Sequence, residues 1–143
     1  MRIGELAKLA NCTTETIRFY EKEGLLAPPE RNGANYRSYT PSHVDRLRFI
    51  RNCRALDMTH DEVRALLVAS DDPSGTCESV NALVDDHIVH VDERIAELTH
   101  LRQQLTSLRQ RCGGGAAVEQ CGIVQGLTSM ETIAPKPRTT HLG

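Results

Sequence analysis

Tryptophan is absent from this 143-residue chain, and its aromatic side chains amount to three Tyr and two Phe. So little ring volume argues against a large single globular core. No run of eighteen apolar residues occurs, which excludes a helical membrane span. The opening MRIGELAKLA has no apolar stretch leading to a cleavage site, so no secretory leader is expected and the chain is expected to be cytoplasmic. In that reducing setting the five cysteines do not read as a disulfide framework. Enzyme signatures are also missing. No nucleophile elbow, phosphate-cradling loop or pair of catalytic acids stands at recognisable spacing, and Gly113 to Gly115 is not followed by the lysine and hydroxyl of a phosphate loop. The length suits one domain, or one small domain with an extension, and such a chain can bury further apolar surface against a copy of itself.

Charge becomes informative when it is divided. Residues 1–54 hold ten Lys/Arg and six Asp/Glu, a net +4, whereas residues 55–112 hold five and eleven, a net −6. Residues 113–143 are neutral, with two of each. A basic head followed by an acidic segment points to a polyanion-binding module joined to a part with another purpose.

The periodicity predicts a mainly helical protein. Ile3, Leu6, Ala7 and Ala10 are spaced as one helix, broken at Asn11-Cys12. Thr13 or Thr14 caps a second helix with Ile17 and Tyr20 inward, and Gly24 ends it. Two short helices across a three-residue break make a helix-turn-helix. Asn32-Gly33 is a tight-turn signal and residues 35–39 alternate, which predicts a small hairpin, or wing. Thr40-Pro41 opens a helix with Val44, Leu47 and Ile50 inward, and Thr59-x-x-Glu62 is a capping box opening another with Val63, Leu66 and Leu67 inward. The expected organisation is a winged helix-turn-helix domain (1–70), a hinge loop (71–77), a dimerisation helix (78–112), a metal-binding loop (113–127) and a disordered tail (128–143). In the long helix Val84, Val91, Leu98, Leu105 and Cys112 recur every seven residues, with Val80, Leu101 and Leu108 at the second seam position and His87 and Arg94 as its polar exceptions. That is coiled-coil patterning, and self-pairing is favoured over packing on a head too small to cover it.

The first candidate site is Thr14, Glu15, Arg18 and Tyr20, with Tyr36 and Arg37 in the wing and Arg54 beyond it. Short polar residues early in a recognition helix reach base edges, and Arg and Tyr reach phosphates. Taken alone, Arg18 is better explained by an ion pair with Glu15 or Glu21 on a solvated helix. The helix-turn-helix, the wing and the clustered arginines together favour double-stranded DNA.

The second is cysteine. Cys77 precedes the long helix, Cys112 ends it and Cys121 follows nine residues later. At 1.5 Å per residue, the helix separates Cys77 from Cys112 by roughly 50 Å. In an antiparallel homodimer, Cys77 of one protomer meets Cys112 and Cys121 of the other, giving a three-thiolate site suited to a soft cation. Cys12 and Cys53 read as small buried residues. Asp86, His87 and His90 lie near one helical face and, with a tail residue such as His141, form a candidate for a second, weaker metal site. A polar seam position flanked by exposed histidines is the favoured reading there.

From IGELAK at Ile3 to the turn at Cys121, the chain resembles MerR-type transcription regulators. The motifs are IGELAKLANCTTETIRFYEKEGLL, NYRSY and HVDRLRFIRNCRALDMTHDEVRALL; CESVNALVDDHIVHVDERIAEL and CGIVQGL resemble the cadmium- and lead-responsive branch. The resemblance implies a winged-helix DNA-binding domain and an antiparallel coiled-coil dimer. It also implies an operator between over-spaced promoter elements, where the metal-bound dimer distorts DNA so that RNA polymerase can open it. In that family a cysteine matching Cys77 goes with divalent ions, and Cys112 and Cys121 match the metal-loop cysteines. Cd2+ or Pb2+ is the expected effector, with Hg2+ or Zn2+ as alternatives, since mercury sensors share the cysteine order. A metal-sequestering protein is a further alternative, though it would not need the helix-turn-helix.

Overall fold

The computed structural model describes residues 1–130 apart from 32, 35 and 116. Its helices are α1 (Ile3–Leu9), α2 (Thr14–Lys22), α3 (Pro41–Ala55), α4 (His60–Asp71), α5 (Cys77–Gln110) and α6 (Gly122–Ser129). Two short strands, β1 (Glu30–Arg31) and β2 (Arg37–Ser38), lie between α2 and α3, and a 3-10 turn (Val118–Gln120) precedes α6. The chain divides into two compact units, Met1–Asp85 and Asp86–Gly143.

Capping chemistry places the helix starts. Thr13 accepts the Thr16 N–H at 3.1 Å and opens α2. Thr59 accepts the Glu62 N–H at 3.1 Å while the Glu62 carboxylate accepts the Thr59 N–H at 3.1 Å, the reciprocal box that opens α4. At Thr40 the box is closed by His43. Its Nδ1 accepts the Thr40 N–H at 3.0 Å, so Nε2 carries the proton and faces the carbonyls of Ala27 and Pro28 at 3.2 and 3.3 Å. One buried imidazole thus fastens the segment entering the wing to the helix leaving it.

Three helices stop in the same way. Asn11, Gly24 and Asp57 follow α1, α2 and α3 with φ of 53°, 73° and 61°. Each N–H bonds back three residues, to Lys8, Glu21 and Arg54, and each following N–H reaches back five, to Ala7, Tyr20 and Cys53. These are Schellman turns, which satisfy the last helical carbonyls through a left-handed residue. Arg51 adds to the first by donating to the Ala10 and Asn11 carbonyls.

The core of the first unit is aliphatic, as the shortage of aromatics requires. Leu6, Ile17, Leu47, Ile50 and Val63, drawn from α1 to α4, are fully buried. Each contributes about 1.5–3 kcal/mol by leaving water. Val80 and Leu83 of α5 pack on the same core. The head therefore extends past the expected boundary at 70, to Asp85.

Other boundaries shift as well. Cys77 is the first residue of α5 rather than the last of a hinge, and the loop shortens to 72–76. The wing pairs Glu30 with Ser38 and Arg31 with Arg37, so its second strand is shorter than the alternation at 35–39 predicts. The short apolar turn expected at Cys121–Leu127 is helical, and α6 carries Thr128 and Ser129 out of the expected tail. The rest of that tail, from 131, lies outside the described residues.

Candidate functional site

The nucleic-acid residues were expected on the second helix and the wing. On α2, Glu15 and Arg18 are exposed, and Thr14, three residues before the buried Ile17 and on the same side of the helix, is half-buried. Tyr36 is 67% exposed, and Arg37 is exposed in β2. Arg18 and Arg37 both act electrostatically on the Tyr39 hydroxyl, so helix and wing bring two guanidinium groups into one neighbourhood. Arg31 stands directly opposite Arg37 in the hairpin.

Tyr20 is corrected by burial. It was expected to reach phosphate, but it is a core side chain, 8% exposed, with its ring edge-on to His60 at 6.0 Å. It faces the same way as Ile17, three residues earlier, and that spacing outweighs its phenol. Arg54 is exposed, and its guanidinium donates to the Met58 carbonyl at 2.6 Å, just past the end of α3. Its neighbours on α3 are similarly engaged. Arg46 pairs with Asp71 at 2.8 Å, and Arg51 holds the end of α1. Much of the arginine cluster that gives the head its positive charge therefore ties helices together.

At the other end of the sequence, the loop after α5 brings two expected metal ligands side by side. Gly114 and Gly115 turn the chain with φ of 88° and 79°, conformations that glycine adopts without strain. The 3-10 turn follows, and Cys121 stands at the N-cap position of α6 with no side-chain capping hydrogen bond. The amides of Val124 and Ile123 and the thiol of Cys112 hold the Cys121 pKa below the ordinary thiol value, and the Arg109 charge acts in the same direction. Arg109 also donates to the Cys112 carbonyl at 3.0 Å. Cys112 and Cys121 are half-buried, and Cys77 is exposed at the start of α5. Among the described residues no cluster of metal-ligand side chains within the chain contains the three cysteines.

Cys12 and Cys53 behave as structural thiols. Burial pushes both pKa values up, although the Arg51 charge partly opposes this at Cys12. His87 is buried, and its ring meets that of His90 edge-on at 6.3 Å. Asp86 is exposed and joins no ligand cluster among the described residues, which corrects the expected grouping. His141 lies outside the described residues.

Two contributors were not identified in the sequence. Arg109 has a weak signal, a basic residue in the last helical turn. His43 has none, because its role depends on contacts with Ala27 and Pro28, fifteen or more residues away.

Comparison with known proteins bears on these sites. Residues 1–69 match the family described as MerR HTH family regulatory protein, and residues 44–108 match the one described as MerR, DNA binding. The HTH-type transcriptional regulator ZntR homolog of Haemophilus influenzae is 46% identical over 111 residues, covering 78% of this chain and 82% of that protein. The crystal structure of the transcription regulator PbrR691 from Ralstonia metallidurans, in complex with lead(II), superposes with a TM-score of 0.80 at 50% identity, covering 89% of this chain and 98% of the other. A dual-function regulator MerR from Bacillus megaterium, in complex with mercury(II), gives 0.74 at 30% identity, covering 90% and 100%. These relatives are transcription regulators and not enzymes. The helix-turn-helix, the wing, the long helix and this similarity along most of the chain make it a member of the MerR family of transcription regulators.

Proposed function

We propose that this regulator works as a homodimer that senses a soft divalent heavy metal, cadmium or lead, and activates a metal-resistance promoter by distorting operator DNA. The observation that carries the proposal is the seating of Cys112 against Cys121 by the loop after α5. Two neighbouring thiols, one with its pKa lowered, fit a soft ion. Cys77 of one protomer completes the set with Cys112 and Cys121 of the other. The ion, when bound, supplies the positive charge that holds thiolates together, and Arg109 offsets the excess negative charge beside them.

Two features of α5 support the dimer. Its seam residues Val84, Leu98, Leu101 and Leu105 are 38–59% exposed within one chain, a stripe that a second helix would cover. Its charge is also polarised. Glu78, Asp85, Asp86, Asp92, Glu93 and Glu97 stand with a single arginine in the N-terminal part, whereas the remainder carries Arg102 and Arg109 and no carboxylate. Antiparallel pairing sets acidic against basic, and parallel pairing sets like against like. Lead is favoured over mercury because the lead(II)-complexed relative is 50% identical and the mercury(II)-complexed one 30%.

Promoter–reporter induction by Cd2+, Pb2+, Hg2+ and Zn2+, with Ser at 77, 112 and 121 in turn, tests the proposal. Cadmium or lead is expected to induce strongly, each substitution to abolish induction, and gel shift to show DNA bound with and without metal. Simple release of DNA by metal would refute the distortion mechanism even if the three thiols prove to be ligands.

A further inference from the structure

We infer that Gly122 is the positioning residue of the sensing loop: having no side chain, it lets the chain dock on the backbone of Arg111 and so sets Cys121 beside Cys112. This rests on the proposal that those two cysteines are metal ligands.

The geometry is specific to this glycine. A Cβ built at Gly122 would collide with the carbonyl oxygen of Arg111 and would lie 3.0 Å from both its carbonyl carbon and its Cβ. The obstacle is mostly main chain at the end of α5, which no rotamer change removes. Torsion is not the reason, because Gly122 lacks the left-handed φ of Gly114 and Gly115. Gly126, one turn further along α6, differs: a Cβ there meets the movable end of the Arg111 guanidinium and Leu108 Cδ2 at 3.3 Å. Gly113 has open space around it. Among the glycines from 113 to 126, close approach to rigid backbone is therefore particular to position 122.

Its place in the sequence gives the contact its meaning. Arg111 immediately precedes Cys112, and Gly122 immediately follows Cys121. The 111–122 contact is thus the neck of the loop, and the two thiols sit just inside it. Any side chain at 122 pushes the neck open, and the sulfurs separate with it. Helix propensity works in the opposite direction, since Ala at 122 or 126 favours α6. A loss caused by Gly122→Ala therefore cannot come from a weakened helix.

The test uses the full-length protein as wild type, Gly122→Ala and Gly126→Ala. Cadmium is titrated while the ultraviolet thiolate-to-cadmium charge-transfer band is followed. Separately, the metal-free proteins are treated with diamide and the rate of Cys112–Cys121 disulfide formation is read by mass spectrometry. Far-ultraviolet circular dichroism and operator gel shift confirm that the rest of the chain is folded. Gly122→Ala is expected to weaken cadmium binding about 10- to 100-fold, as loss of a group that orients a ligand does, and to slow disulfide closure. Gly126→Ala is expected to stay near wild type in both. Wild-type disulfide closure in Gly122→Ala would overturn the inference, whatever cadmium does. A wild-type protein without a thiolate band, or one whose band survives Cys112→Ser and Cys121→Ser, would instead overturn the ligand assignment, and the disulfide rate would still judge Gly122.

Discussion

The phenol of Tyr39 donates a 2.6 Å hydrogen bond to the Glu21 carboxylate, so the chain leaving the wing is pinned to the second helix of the helix-turn-helix. Burial, the Glu21 hydrogen bond and the Glu21 charge together push the Tyr39 pKa up to about 12, against the opposing pull of Arg37 and Arg18. The wing and the recognition helix are thereby held in one arrangement before any DNA arrives.

Tyr39→Phe is expected to cost about 1–2 kcal/mol of stability, because a buried bond to a charged acceptor is lost. The loss has a pH signature. A group whose folded pKa exceeds its unfolded value of 10.0 stabilises fully below that value, and its contribution disappears as pH rises through about 12. Urea unfolding across that interval should show wild type converging on the Phe variant at the alkaline end. A constant gap would deny Tyr39 this role.

Arg18→Ala should weaken operator binding and reduce the slope of log affinity against log salt by about one, because one phosphate contact is removed. Arg54→Ala should behave differently. With its guanidinium on the Met58 carbonyl, its loss is expected to lower stability by about 1 kcal/mol and leave the salt slope unchanged. Gel shifts across a salt series separate the two.

Cys77→Ser should abolish induction by divalent metal while operator binding persists, since position 77 lies at the start of α5, outside the DNA-facing elements. A variant that still induces normally would remove Cys77 from the sensing set.

Thiol labelling should follow environment. In the metal-free protein Cys121, half-exposed and with its pKa lowered by the amides of Val124 and Ile123, is expected to react with iodoacetamide before Cys12 and Cys53, whose pKa values burial raises. Lowering the pH slows all three, and Cys121 should keep its reactivity to the lowest pH. Peptide mass spectrometry over time gives the order.

The helix-turn-helix was legible because its punctuation is local. Thr13, Thr40-Pro41, Thr59-x-x-Glu62 and Gly24 each act within a few residues of themselves. What escaped notice depends on distant contacts. Tyr20 and Tyr36 look equally fit for a DNA surface in sequence, and only packing shows that Tyr20 is core while Tyr36 is exposed. The arginines of α3 read as a basic patch, yet Asp71, Met58 and the end of α1 claim three of them. With glycines at 122 and 126, residues 121–127 read as a turn. The segment is helical instead, and those same glycines lie against Arg111 and Leu108. The cysteine spacing was legible, but how the loop closes was not.

With no tryptophan to receive its energy, tyrosine emission in this chain comes from three rings. Tyr20 and Tyr39 are buried and Tyr36 is 67% exposed on the wing. The exposed ring gives the protein a native optical probe at its proposed DNA edge, so contact with nucleic acid can be followed in solution without attaching a dye.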